Sequence, residues 1–129
     1  TNVVFMGMGE PLHNVEAVLA AVDILTDTRG LAFSQNKVTV STSGLVPEIE
    51  RYLRESRGSL AVSLNATTDE IRSWIMPINR KYNLERLLGT LTPARRVPCL
   101  LIHGTADRDV DPRASKAIFD VACGPKAVV

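Results

Sequence analysis

Residues 2-NVVFMGMGEP-11 decide how the rest of the chain is read. Val3, Val4, Phe5 and Met6 are a short continuous apolar run, the pattern of a parallel strand buried on both faces. The run leads straight into a loop with Gly7, Gly9, Glu10 and Pro11. In α/β proteins ligands sit at the carboxyl ends of strands, so this loop is the first place to expect chemistry. The chain that follows repeats the strand–loop–helix unit begun here.

Beyond the loop, Asn14 is placed to cap a helix and Glu16 falls in its first turn. Val15, Val18, Leu19, Val22 and Leu25 form its apolar stripe. Residues 26–36 read as a connection in which Leu31 and Phe33 pack on the core. KVTVS at 37–41 alternates and is rich in β-branched residues, which predicts a second strand. A turn at 42–44 precedes a helix with Pro47 in its first turn and Val46, Ile49, Tyr52 and Leu53 inward, closed by Gly58 as C-terminal cap. Residues 60–64 predict a third strand, and Thr67 with Glu70 a capping box for a helix that carries Ile71 and Trp74 to the core. Asn83 caps a further short helix with Leu84, Leu87, Leu88 and Leu91. TPARRV at 92–97 reads as a linker or surface loop. A strand at 98–103, a helix from Asp111 with Ala114, Ile118 and Val121 inward, and a strand at 127–129 complete the pattern. The fold class expected is α/β: alternating βα units in a single domain, with a parallel sheet of about five strands, either open or part of a barrel wall. Five strands are too few to close a barrel of the eight-stranded kind.

Composition narrows the classes. At 129 residues, 45% of them hydrophobic and 22% charged, the chain suits one globular domain and not a disordered segment. A net charge of +1 gives no strong pull toward nucleic acid or membrane. The series Arg51, Arg54 and Arg57 is interleaved with Glu48, Glu50 and Glu55, which reads as a solvated helix face. His13 and His103 lie in a loop and at a strand end and read as surface histidines. The two cysteines, Cys99 and Cys123, form no CxxC pair and read as free thiols, a single disulfide being the alternative. With no leader and no long apolar stretch in view, the expectation is a soluble chain of intracellular type, and the absence of an initial Met suggests a fragment.

Four stretches carry a family resemblance: TNVVFMGMGEPL at 1–12, KVTVSTSGLVP at 37–47, LAVSLNATTDEIR at 60–72 and PINRKYN at 77–83. Together they make residues 1–91 resemble the middle of the radical SAM methyltransferases that modify C2 of adenine in rRNA and tRNA, in a plant-like version. The resemblance implies that S-adenosylmethionine is contacted by Gly9 and Glu10, by Ser41, and by Ser63, Leu64 and Asn65. A carboxylate and backbone groups at strand ends would hold the ammonium and carboxylate of the methionine moiety, and serine hydroxyls would reach the ribose. Asn65 stands where the family more usually has histidine; it keeps hydrogen-bonding capacity and loses the ionisable ring. The family also needs a CxxxCxxC loop for a [4Fe–4S] cluster and a further cysteine that carries the methyl group. Neither has a counterpart here, so no iron–sulfur cluster is expected, no metal site is assigned, and any S-adenosylmethionine binding would be weak.

Residues 92–129 resemble a different family. VPCLLIHGTADRDVDPRASKAIFDVACGPKAVV is similar to the C-terminal part of an α/β-hydrolase, which would make Asp107 the acid that orients a catalytic histidine. No G-x-S-x-G is present and no histidine follows Asp107, so a triad cannot form. The main expectation is therefore a chimera, engineered or a gene-model fusion, of segments 1–91 and 92–129, without complete catalytic function. The alternatives are an S-adenosylmethionine-binding fragment of the methyltransferase family and, more weakly, a hydrolase-related protein. Self-association through an exposed sheet edge is the one partner the pattern suggests.

Overall fold

In a computed structural model, residues 1–91, 99–101 and 126–128 are described. The alternating β-branched run KVTVS becomes a strand shifted by one residue, Val38–Thr42 (β2), flanked by Val3–Phe5 (β1) and Ser59–Val62 (β3). The three form a parallel sheet in the sequential order β1-β2-β3. Val3 pairs with Val38, and Thr39 with Ser59. Two α-helices, Val15–Thr26 (α1) and Val46–Glu55 (α2), provide the crossovers. Right-handed crossovers between strands laid down in sequence put both helices on one face of the sheet. The core lies there: Val18 and Val22 of α1 and Ile49 and Tyr52 of α2 are buried with Val38 and Val40.

This sheet and its helices make the first of two compact units, Thr1–Ser63; the second is Leu64–Val129. The second unit contains Asp69–Ile75 (α3), a 3₁₀ turn at Pro77–Arg80 and Leu84–Thr90 (α4). It also contains the short strands Cys99–Leu101 (β4) and Lys126–Val128 (β5), which pair in parallel. The expectation of one sheet of about five strands is thus corrected: the described strands form a three-stranded and a two-stranded sheet. The helix expected after Asp111, together with Asp107 and His103, lies outside the described residues.

Several local expectations change. β1 is not buried on both faces: Val4 is 50% and Met6 70% exposed. Its only partner among the described strands is β2, so it lacks the flanking strand that the apolar run implied. Asn14 makes no side-chain cap for α1; the carboxylate of Glu10 instead caps the preceding 3₁₀ turn, Pro11–Asn14. The cap of α3 is Thr68, not Thr67, and its hydroxyl accepts from Ile71 N–H at 3.4 Å. Gly58 does not close α2, whose cap is Ser56. A Cβ on Gly58 would come 2.6 Å from the Tyr52 hydroxyl and 3.1 Å from Val22 Cγ1, so it is a close-approach glycine. Leu31 is exposed, and so are Ile71 and Trp74, the latter at 84%. The inward position of α3 is taken by Arg72, which is fully buried. Asn83 does cap α4, accepting from Arg86 N–H at 3.0 Å. Among the described residues no helix is long and apolar enough to cross a membrane.

Candidate functional site

The face of the first sheet opposite the helices is built from small and hydroxyl side chains. Alternation along paired strands places Thr39 and Ser41 of β2 on one side with Ser59 and Ala61 of β3, next to Val4 of β1. Ser63 follows two residues after Ala61, and its N–H donates to the Thr42 carbonyl at 2.9 Å, extending the pairing past β3. Gly9 and Glu10, Ser41, and Ser63 thus lie at the carboxyl ends of the adjacent strands β1, β2 and β3. Ser41 is buried and Ser63 half-buried.

The loop after β1 owes its shape to glycine. Gly7 and Gly9 have φ of +123° and +119°, where a side chain is strained, and a Cβ at either would meet nothing within 4 Å. The backbone of this loop is therefore open to an incoming group. Glu10 closes the loop onto the next one. Its Oε1 accepts from Leu12 N–H at 3.1 Å, and its Oε2 accepts from both the N–H and the hydroxyl of Ser43, each at 2.7 Å. The Thr42 hydroxyl, beside Ser43, accepts from Gly44 N–H at 3.1 Å.

A carboxylate has about four acceptor sites, and three donors of the protein itself address them. The Glu10 carboxylate thereby braces two loops. Burial works to raise the Glu10 pKa, but the bonds from Ser43 and Leu12 outweigh it, and the group sits below its ordinary value. Ser43, which donates to Glu10 through both its N–H and its hydroxyl, is the partner that the sequence reading missed. The signal was present in STSG, where the first serine was singled out and the third residue was not.

Leu64 and Asn65 open the second unit. Asn65 has φ of +60°, a left-handed conformation that asparagine tolerates better than most residues. It is exposed, and its amide nitrogen lies 3.1 Å from Met76 Sδ. The Leu64 carbonyl accepts from Arg72 Nε at 3.0 Å. Arg72 Nη1 donates to Asn79 Oδ1 at 2.6 Å. Asn79 Nδ2 donates to the Asp69 carboxylate at 2.8 Å and to Ser73 Oγ at 2.9 Å. The same Asp69 oxygen accepts from Leu84 N–H at 2.8 Å. Burial lowers the Arg72 pKa from its ordinary value, and the nearby Asp69 charge opposes that shift. This buried network was invisible in a helix read by apolar periodicity alone.

The described residues do not fit an iron–sulfur cluster. No group of three or more His, Cys, Asp and Glu stands together among them, and the whole chain has only two cysteines. The series of arginines on α2 behaves as a solvated face. Arg51 pairs with Glu55 at 3.1 Å and with Glu16 at 3.4 Å, and Arg54 with Glu55 at 3.1 Å.

No protein-family model matches the chain. Among curated proteins it is 47% identical over 122 residues to the dual-specificity RNA methyltransferase RlmN of Methylorubrum populi, covering 88% of this chain and 29% of that protein. It is 43% identical to the protein of the same name from Syntrophobacter fumaroxidans, over 100% of this chain and 39% of that protein. Among solved structures, a radical SAM methyltransferase from Sphaerobacter thermophilus matches with a TM-score of 0.70 and 31% identity, covering 100% of this chain and 50% of that one. The chain thus spans roughly a third of the length of these curated relatives and half of the structural one. The second and third matches run through residues 92–129, and neither supports the hydrolase resemblance or the join expected between residues 88 and 96. The radical SAM resemblance of the first 91 residues is the part these relatives support.

Proposed function

We propose that the chain is the S-adenosylmethionine-binding part of a radical SAM RNA methyltransferase, the reading that stood second at the level of sequence. The observation that carries it is the convergence of the Gly7–Gly9 backbone, Ser41 and Ser63 at the carboxyl ends of three adjacent parallel strands. Open backbone at Gly7 and Gly9 offers carbonyls and amides to the ammonium and carboxylate of the methionine moiety. Ser41 and Ser63 offer hydroxyls to the ribose. Glu10 serves by holding the loop in shape. S-adenosylmethionine supplies the methyl group, and RNA would be its acceptor, as the names of the relatives indicate for those proteins.

Calorimetric titration of the chain with S-adenosylmethionine tests this reading. Saturable heat is expected, with affinity reduced roughly tenfold in Glu10→Ala, where the loop loses a charge-assisted brace. A wild-type chain that is folded and gives no heat would defeat the proposal.

A second reading concerns partners. β1 has one strand neighbour among the described residues, and Val4 within it and Met6 just after it face solvent, which favours self-association there. Sedimentation over a hundredfold concentration range should then show a species above monomer mass that Met6→Lys abolishes; a monomer throughout would end this reading.

A further inference from the structure

α3 turns its polar side chain inward and its apolar ones outward. Arg72 is fully buried, whereas Ile71, Trp74 and Ile75 are 48%, 84% and 44% exposed. Their spacing of three and four places these three on one face of the helix. An indole left in water contributes little to holding the unit together. We propose that the segment from α3 to α4 binds a single strand of nucleic acid, with Trp74 stacking on a base and Arg80, Lys81 and Arg86 pairing with the phosphates. The site lies within the second unit and does not depend on the cofactor reading above.

The three cations are exposed and form no ion pair among the described residues. On α2, by contrast, Arg51 and Arg54 are each matched by a glutamate. Glu85 precedes Arg86 directly and pairs with neither Arg86 nor Lys81. Both cations lie instead against the ring of Tyr82, Lys81 Nζ at 5.2 Å and Arg86 Cζ at 5.1 Å from its centroid. Tyr82 is only 5% exposed, so a fixed ring holds two like charges near one point. An anion that meets both relieves their repulsion.

Hydrogen bonds join the platform and the cations into one frame. Asn79 Nδ2 donates to Ser73 Oγ at 2.9 Å, and Trp74 and Arg80 each follow one residue after a member of that pair. The Asp69 carboxylate accepts from Leu84 N–H at 2.8 Å, which ties the start of α4, two residues before Arg86, to the start of α3. An exposed aromatic ring on the same frame as unpaired cations suits a single strand: every base has a face to stack, and every linkage carries a charge. An apolar protein segment would leave the cations unmatched. A duplex would keep its base faces stacked inside.

Trp74 is the single tryptophan of the chain, so its fluorescence reports the site directly. The test titrates the full chain, without S-adenosylmethionine, into dye-labelled oligoadenylates of about 12 nucleotides, as RNA and as DNA. Anisotropy and Trp74 fluorescence are followed together. The wild type is expected to bind saturably with quenching of Trp74; a preference for the ribose oligomer assigns the site to RNA, and one for the deoxyribose oligomer to DNA. Trp74→Ala is expected to bind roughly tenfold more weakly. The double variant Arg80→Gln, Arg86→Gln is expected to bind more weakly and to flatten the slope of log affinity against log salt by about 1.4, the share of two phosphate contacts. Arg54→Gln, which removes a paired arginine from the first unit, is expected to match the wild type. A folded wild type that binds neither oligomer overturns the site. So does binding that leaves Trp74 fluorescence unmoved and is unchanged in Trp74→Ala. Tighter binding to a duplex of the same length removes the stacking role, and polyglutamate bound as tightly as the oligomers would assign the cations to an acidic protein instead.

Discussion

Glu10 and Arg72 fix the backbone after a strand with opposite charges and at opposite depths. The Glu10 carboxylate is half-exposed and collects N–H and O–H donors from two neighbouring loops. Arg72 is fully buried, and its described bonds run to the Leu64 carbonyl and to the Asn79 amide oxygen. Loops offer free N–H groups readily, so an anion can brace them near the surface at little desolvation cost. A buried cation needs acceptors arranged in advance, and here Asn79 and Asp69 supply that arrangement. The first device can be loosened by protonation, whereas the second stays charged at any ordinary pH and fails only when a partner is removed.

The largest expected effect breaks the buried side of this comparison. Arg72→Met leaves the half-buried Leu64 carbonyl and the buried Asn79 Oδ1 without this donor. Removing one member of a buried polar network of this kind costs about 3–5 kcal/mol. The midpoint of urea unfolding measures it. A loss within about 0.5 kcal/mol, the range of an ordinary surface substitution, would show that the network is not what holds residues 64–91.

Next in size is a test of the apolar side of the first unit. In Gly58→Ala the new methyl carbon would lie 2.6 Å from the Tyr52 hydroxyl, 3.1 Å from Val22 Cγ1 and 3.3 Å from the Val38 carbonyl oxygen. Overpacking of this kind costs about 1–3 kcal/mol. Tyr52→Phe removes the nearest of these atoms together with a 3.3 Å hydrogen bond to the Ser59 carbonyl. The double variant should therefore be more stable than the sum of the two losses predicts, a coupling that a denaturation cycle reads directly. Strict additivity would place the strain elsewhere.

Glu10→Gln sharpens the exposed side. The amide keeps an oxygen for Ser43 but turns a donor toward Leu12 N–H, and the half-exposed setting limits the loss to about 1 kcal/mol at neutral pH. Because hydrogen bonds hold the native Glu10 pKa below its ordinary 4.5, its contribution is complete above that value. It fades as pH falls through the lowered native pKa. The difference between wild type and Glu10→Gln should thus shrink on acidification in paired melts from pH 7 to 3. A gap that widens would mean that the carboxyl is raised instead.

These contrasts also show what the sequence could and could not reveal. β2 and the inward stripe of α2 were legible because a period of two and a period near 3.6 leave their mark on residue order. The glycines of the first loop were legible as a turn, and the comparisons support the relationship that its motif suggested. The brace from Glu10 to Ser43 joins residues 33 positions apart, and no local pattern encodes such a pairing. α3 misled for a related reason. Its Ile71 and Trp74 suit a core by type, yet a helix of seven residues has room for one inward position per turn, and hydrogen-bond partners gave it to Arg72. The sheet count failed because strand propensity predicts strands and says nothing about which of them pair.

Trp74 gives the smallest expected effect and the cleanest contrast with its neighbour two positions back. At 84% exposure its ring has little apolar area removed from water, so area-based stabilisation is nearly absent. Trp74→Ala improves helix propensity slightly and removes few contacts, which places the change within about 0.5 kcal/mol of zero. Paired with Arg72→Met on the same seven-residue helix, it asks whether α3 is held by its apolar or its polar side chains. A loss near zero beside a loss of several kcal/mol assigns the helix to its polar network. A loss above about 2 kcal/mol for Trp74→Ala would require a buried indole. That would return α3 to the apolar orientation that its sequence first suggested.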